Sequence, residues 1–150
     1  MKLDILAFGA HPDDVELGAG GMLAVHAAAG KKVGIIDLTR GEMGTRGTPE
    51  LRDEEAKDAG RILGCVVREN LTFPDGRIPT DHEAQVKVAE VIRKYQPEVV
   101  LMNAPTDRHP DHGRASQLVE EACFLSGLHK LVVSDEHAVL LPWRPKQMYK

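Results

Sequence analysis

Short apolar runs alternate with longer amphipathic stretches along this chain. Leu3-Asp4-Ile5-Leu6-Ala7-Phe8-Gly9 is mostly apolar rather than alternating, as expected for a parallel strand covered on both faces. From Val15 to Ala29 the apolar residues Val15, Leu17, Met22, Leu23, Val25 and Ala29, with Gly30 behind them, predict a helix despite Gly18, Gly20 and Gly21 near its start. Lys32 to Leu38 reads as a second strand. After the Gly-rich polar loop Thr39 to Pro49, the run Thr48-Pro49-Glu50-Leu51 carries an N-cap, a proline at the first helical position and an acidic first turn, opening a charged helix that runs to Gly64. Val66 to Phe73 is a shorter, more polar strand suited to a sheet edge, and Pro74-Asp75-Gly76 is a turn signal. A helix over His82 to Tyr95 is closed by Pro97, a fourth strand spans Pro97 to Asn103, and a fourth helix runs from about Arg114 to Leu125. Leu131 to Leu141 is poorly patterned, and a further strand would be starting at Tyr149-Lys150.

Four strand–helix units in succession predict an α/β fold, a Rossmann-like, doubly wound, mainly parallel sheet with helices on both faces and the strand order 3-2-1-4 at its core. Strands one and four are then neighbours, and the crevice between them is the topological switch point where such sheets bind ligands. Both predicted strands lead into related turns. His11-Pro12-Asp13-Asp14 follows the first, and His109-Pro110-Asp111-His112 follows the fourth. Each could merely cap a helix, with Asp accepting from first-turn amides and Pro setting the turn. Together they hold three His and three Asp at one crevice. Two imidazoles and a carboxylate that leave positions open for water are what catalytic zinc requires, and other divalent metals tolerate the same set. Metal is therefore the reading preferred for the pair of turns.

Composition narrows the partners. The chain has 150 residues, enough for one domain with a buried sheet, and Lys+Arg 19 against Asp+Glu 23 gives 19 − 23 = −4. No basic field favours nucleic acid or anionic membrane, so a small molecule is the expected partner. Cys65 and Cys123 are isolated and lie in or beside apolar segments, which suggests buried reduced thiols. With no apolar run of membrane-spanning length and no basic leader, the expected location is cytoplasmic. Gly18-Ala19-Gly20-Gly21 is a weak nucleotide loop, since Leu23 takes the third glycine position of the dinucleotide fingerprint and no Lys-Ser/Thr follows. Arg52, one turn into the second helix, either points back to the crevice as a clamp or pairs with Glu55 in solvent. His26, His82, His129 and His137 are read as packed or solvated rather than as ligands.

The two turns, with the loop Leu38 to Thr48 and the run Asp107 to Gly113, resemble the LmbE/PIG-L family of zinc-dependent N-acetyl sugar deacetylases. The resemblance spans Leu3 to about Lys130. Within the family they look most like the bacillithiol-biosynthesis branch, which deacetylates N-acetylglucosaminyl malate. The resemblance implies His11, Asp14 and His112 as zinc ligands, Asp13 as general base, and His109 as a charged helper held by Asp111. It further implies Arg52 as a sugar-contacting arginine, Asp75 near the sugar hydroxyls, Arg108 and Arg46 as candidates for a malate carboxylate, and a homo-oligomer such as a hexamer. Residues 1–150 would form a single LmbE-like deacetylase domain lacking the family's C-terminal part. Two other classes stay open: a metal-dependent hydrolase of another bond, and a nucleotide- or sugar-binding Rossmann-like module without metal catalysis.

Overall fold

Along the chain run β1 (Ile5–Gly9), α1 (Asp14–Ala28), β2 (Val33–Asp37), α2 (Pro49–Ile62), β3 (Val67–Asn70), α3 (His82–Tyr95), β4 (Val99–Leu101), α4 (Pro110–Ser126) and β5 (Gln147–Tyr149). The structure, a computed structural model, describes residues 1–135 and 138–150. Among these residues the strands form one parallel sheet in the order β3-β2-β1-β4-β5. The predicted order 3-2-1-4 is present, with β3 at an edge and β5 added beyond β4.

Every residue of β1 and β2 is buried, and alternate residues feed two different cores. Leu6, Phe8 and Ile36 face α3 and α4 through Val88, Ile92, Leu118 and Val119. Ile5, Ala7, Val33 and Ile35 face the other way, onto Val15 and Leu23 of α1. Two covered faces explain why these strands read as continuous apolar runs rather than alternating ones.

The boundaries differ from the sequence pattern where tertiary contacts take over. β3 stops at Asn70 because Thr72 turns the chain at φ +55°. The last helix begins four residues earlier than predicted, at Pro110, with His109 as its N-cap. The second His-Pro-Asp turn is therefore a helix start, and the capping reading holds for it alongside whatever chemistry it performs. Between α4 and β5 the described structure is a single antiparallel bridge, Ser134 with Val139. His26 bonds the Met22 carbonyl on its own helix at 2.9 Å, His82 and His129 are exposed, and His137 lies outside the described residues. Cys65 is half-buried and Cys123 buried, both free, with burial pushing the Cys123 thiol up to about 12. No helix among the described residues is long and apolar enough to cross a membrane.

Two buried cations lock elements together. Arg68 on β3 grips Asp37 of β2 through two bonds of 2.9 and 3.0 Å and also reaches Glu16 in the first turn of α1. This trio ties the start of α1 to the sheet beneath it, although burial pushes the Asp37 carboxyl up to about 6 against the pull of Arg68. Arg93 on α3, 2% exposed, donates to the carbonyls of Ser126, Leu128 and Leu131 at 2.9, 2.8 and 2.8 Å, capping the C-terminal end of α4. Replacing it with methionine strands these acceptors. Arg93→Met should cost about 3 kcal/mol in urea unfolding, and an unchanged midpoint would show that water satisfies the carbonyls equally well.

Candidate metal centre

β1 pairs with β4 in the register Ile5↔Val99, Leu6↔Val100, Ala7↔Leu101. Carried two residues further, that register sets Gly9 level with Asn103, so the turns that follow leave the sheet side by side. Each ends in a helix N-terminus, α1 at Asp14 and α4 at Pro110, whose free N–H groups and dipoles favour negative charge.

Three imidazoles gather there. Ring centroids of His11 and His109 lie 4.6 Å apart, of His109 and His112 5.1 Å, and of His11 and His112 5.5 Å. A nitrogen from each falls within 4.8 Å of the other two, close enough for one cation. Asp14 meets two of these rings through different oxygens: Oδ2 is 3.6 Å from His11 Nδ1 and Oδ1 is 3.3 Å from His112 Nε2. Burial by itself raises the Asp14 pKa, but bonds from the His11 ring, the His11 backbone N–H and the Asn103 amide hold it down at about 2. At His11 burial lowers the pKa, yet Asp14, Asp75 and Asp111 together raise it above the ordinary value.

Asp13, the N-cap of α1, sits at φ +127° and ψ −25°, a conformation that non-glycine residues seldom adopt. Such strain persists only where the surroundings over-determine it. Arg52 supplies part of that restraint. Its Nη2 donates to the Pro12 carbonyl at 2.7 Å and its Nη1 to the Gly41 carbonyl at 3.0 Å, while Nη2 lies 3.6 Å from Asp13 Oδ2. Of the two placements open for Arg52, the crevice is the one found. Gly41, at φ +64°, makes room for it, since a Cβ there would fall 1.9 Å from Arg52 Nη1. Desolvation raises the Asp13 pKa, with Arg52 opposing and Asp14 adding to it.

Asp75 and Asp111 both approach the His11 ring. Asp75 bonds His11 Nε2 at 3.0 Å and accepts from Met43 N–H at 2.9 Å, while its own N–H donates to Glu42 at 2.9 Å, so it knits the loop after β2 to the site. Asp111, fully buried, accepts from the N–H groups of Gly76 and Ile78 at 2.6 and 3.2 Å and from Arg114 at 3.2 Å, and lies 3.4 Å from His11 Nε2. It was expected behind His109. The bond between them instead runs from the Asp111 backbone N–H to His109 Nδ1 at 3.2 Å. The reason is the capping geometry: His109 turns its ring back onto the first amides of α4, while the carboxylate of Asp111 is used up by the Gly76–Ile78 loop. Burial raises the Asp111 pKa, but those donors bring it below the ordinary value. Arg46 and Arg108 are both exposed.

Two residues outside both motifs belong to the site. Asp107 Oδ2 bonds His112 Nδ1 at 3.0 Å, and its Oδ1 accepts from the His109 backbone N–H at 3.1 Å. A carboxylate on Nδ1 leaves Nε2 as the lone-pair nitrogen, the form that binds metals. Asn103 bonds both Asp14 and the Ala10 backbone. Nothing in the spacing of the motifs marks either one, though each stands between a strand end and the second turn. A cavity of about 550 Å³ opens beside Asp14, Asn103, Asp107 and His112, with Leu17, Met22 and Leu101 on its apolar wall.

Fold and site together define a Rossmann-like protein with a His/Asp centre at the sheet's switch point. The chain belongs to the PIG-L family, described as GlcNAc-PI de-N-acetylase, whose pattern matches residues 6–123 and so takes in both turns. It is 39% identical over 125 residues to the uncharacterized deacetylase YaiS of Escherichia coli K12, covering 79% of this chain and 67% of that protein. It is 36% identical over 148 residues to the diacetylchitobiose deacetylase of Thermococcus kodakarensis, covering 92% and 55%. Similarity extends to 4-oxalmesaconate hydratase of Pseudomonas putida, 32% identical over 134 residues and covering 81% and 52%. Among solved structures, the conserved protein TT1542 of Thermus thermophilus superposes with a TM-score of 0.90 at 46% identity, covering 98% of this chain and 65% of that one. The chain thus spans between about half and two thirds of the length of these relatives.

Two outcomes follow from the geometry. Asp14, held at about 2 against an ordinary 3.8, lends the metal-free fold stability that is complete above pH 4 and is lost as pH falls through 2. The loss should approach roughly 2 kcal/mol in acid denaturation and be absent in Asp14→Asn. Asp107→Ala, which frees the His112 ring, should weaken zinc binding about 10–100-fold in a chelator competition; full affinity in this variant would mean that the ring needs no such support.

Proposed function

We propose that this chain is the catalytic part of a zinc-dependent N-deacetylase acting on the acetamide of an N-acetylglucosamine-type sugar and releasing acetate and a free amine. The observation that carries the proposal is the gathering of ring nitrogens of His11, His109 and His112 within 4.8 Å of one another, with Asp14 beside two of the rings, in a chain whose relatives include named sugar deacetylases. The donor set fits zinc: imidazole nitrogens, one low-pKa carboxylate, and His112 already turned by Asp107 to offer Nε2. His11, Asp14 and His112 would hold the ion, which when bound polarises the amide carbonyl and lowers the pKa of water.

The chain's own groups supply the rest. Asp13 follows His11 in the first turn and has a raised pKa, suiting it to take the proton of the attacking water. His109 uses Nδ1 as an acceptor from Asp111 N–H, so its proton sits on Nε2, free to be donated to the oxygen on which negative charge develops. The positive ends of α1 and α4 favour that charge as well. The leaving amine then receives its proton from Asp13 or His109. Arg52 acts by shaping the Asp13 turn, and the exposed Arg46 and Arg108 are the side chains suited to carboxylates of a malate conjugate.

A second reading draws on the hydratase relative: the same base and the same ion could add water across a carbon–carbon double bond of an unsaturated carboxylate. One set of measurements separates the two. Metal content by mass spectrometry should approach one ion per chain. Acetate should be released from N-acetylglucosamine or from its malate conjugate, while the ultraviolet absorbance of an unsaturated dicarboxylate stays constant. Asp13→Asn should keep its metal and lose at least about 10²-fold in turnover, and His112→Ala should lose the metal. Loss of the absorbance without acetate would favour hydration, and a metal-free protein would sink both.

A further inference from the structure

Asn103 belongs to neither motif, yet its amide spans both turns. It stands two residues beyond β4 and lines the cavity that Asp14 and His112 also line. Its Oδ1 accepts from the Ala10 backbone N–H at 2.9 Å and its Nδ2 donates to Asp14 Oδ2 at 3.0 Å. The first bond fixes the backbone just before His11. The second, with the His11 N–H at 3.0 Å, occupies the oxygen of Asp14 that faces into the fold. That oxygen also lies 3.6 Å from His11 Nδ1, while Asp14 Oδ1 points toward His112 Nε2 at 3.3 Å.

We infer that Asn103 is a positioning residue that makes Asp14 a one-oxygen metal ligand, by holding Oδ2 and locking the His11–Asp14 turn to the end of β4. This rests on the metal-dependent reading above. A carboxylate with both oxygens free can swing or bind through two atoms; with one oxygen tied by two donors, it presents the other at a set place and leaves a coordination position for solvent or substrate. An amide suits the task, because Asp14 needs a donor and Ala10 an acceptor, and asparagine presents these on two separate atoms, Nδ2 and Oδ1. Leu101, two residues earlier on the same side of the strand, packs with the core beneath α1 and continues that wall.

Two variants with different chemistry test this. Asn103→Ala removes both bonds. Asn103→Asp keeps an acceptor for Ala10 but sets a carboxylate against Asp14 Oδ2. Zinc affinity, measured by chelator competition, should fall about 10–100-fold in Asn103→Ala and further in Asn103→Asp, with thermal unfolding and circular dichroism confirming the fold of each. The visible spectrum of the cobalt-substituted protein should change in Asn103→Ala as Asp14 gains freedom to bind through both oxygens, and kcat should fall with KM little altered. Unchanged affinity and spectrum in Asn103→Ala would overturn the inference. So would restored affinity in Asn103→Asp, which would assign the effect to Ala10 alone. If the unsubstituted protein takes up neither zinc nor cobalt, the metal-dependent reading fails instead. The contact itself is then read from amide hydrogen exchange at Ala10, faster in Asn103→Ala and unchanged in Asn103→Asp.

Discussion

The parallel pairing of β1 with β4 is the constraint from which the site follows. Neither turn has a complete set of metal donors by itself, and they are far apart in sequence. Hydrogen bonding between the two strands brings their C-terminal ends level, and because α1 and α4 then leave on opposite faces, a crevice opens between their N-termini. His11, Asp13 and Asp14 enter it from one side and His109, Asp111 and His112 from the other. A slip of one residue in this register would turn the donors of one turn away from those of the other.

The electrostatics of the crevice suit a cation. Asp13, Asp14, Asp75 and Asp111 surround three imidazoles, and the two helix dipoles offset only part of their negative charge. Most of these carboxylates are also engaged by the protein. Asp111 is held by two backbone N–H groups and Arg114, Asp75 by Met43, and Asp14 by His11 and Asn103. Asp13 is the exception, touched at 3.6 Å by Arg52, and it is the residue to which the proposed mechanism gives a mobile proton.

Much of this was legible in the sequence. Unbroken apolar runs identified β1 and β2 as doubly covered strands, and the strand–helix alternation predicted the sheet order together with its switch point. The repeated His-Pro-Asp turn led to the crevice residues because it recurs at two strand ends, where a fold of this class gathers its ligands. Other features depended on contacts between distant segments. The early start of α4 rests on His109 turning back as a cap, and the attachment of Asp111 to Gly76 and Ile78 needs a loop from β3 brought across the sheet. Asp107 opens the run that carries the family resemblance, but nothing there gives it a partner, and Asn103 falls in no recognisable spacing; only the folded chain sets them against His112 and Asp14. Arg52 was undecided because solvent and crevice are equally reachable one turn into a helix, until the place of Gly41 is known.

The backbone at Asp13 has a consequence for how this protein could change. Its φ of +127° is one that glycine adopts freely and a side chain resists. A glycine there would relax the turn and, by easing a strain of about 1–3 kcal/mol, favour folding. It would also delete the carboxylate. At this position the residue the backbone favours and the one the proposed mechanism requires are different, so a substitution that steadied the fold would remove the group proposed to take the proton.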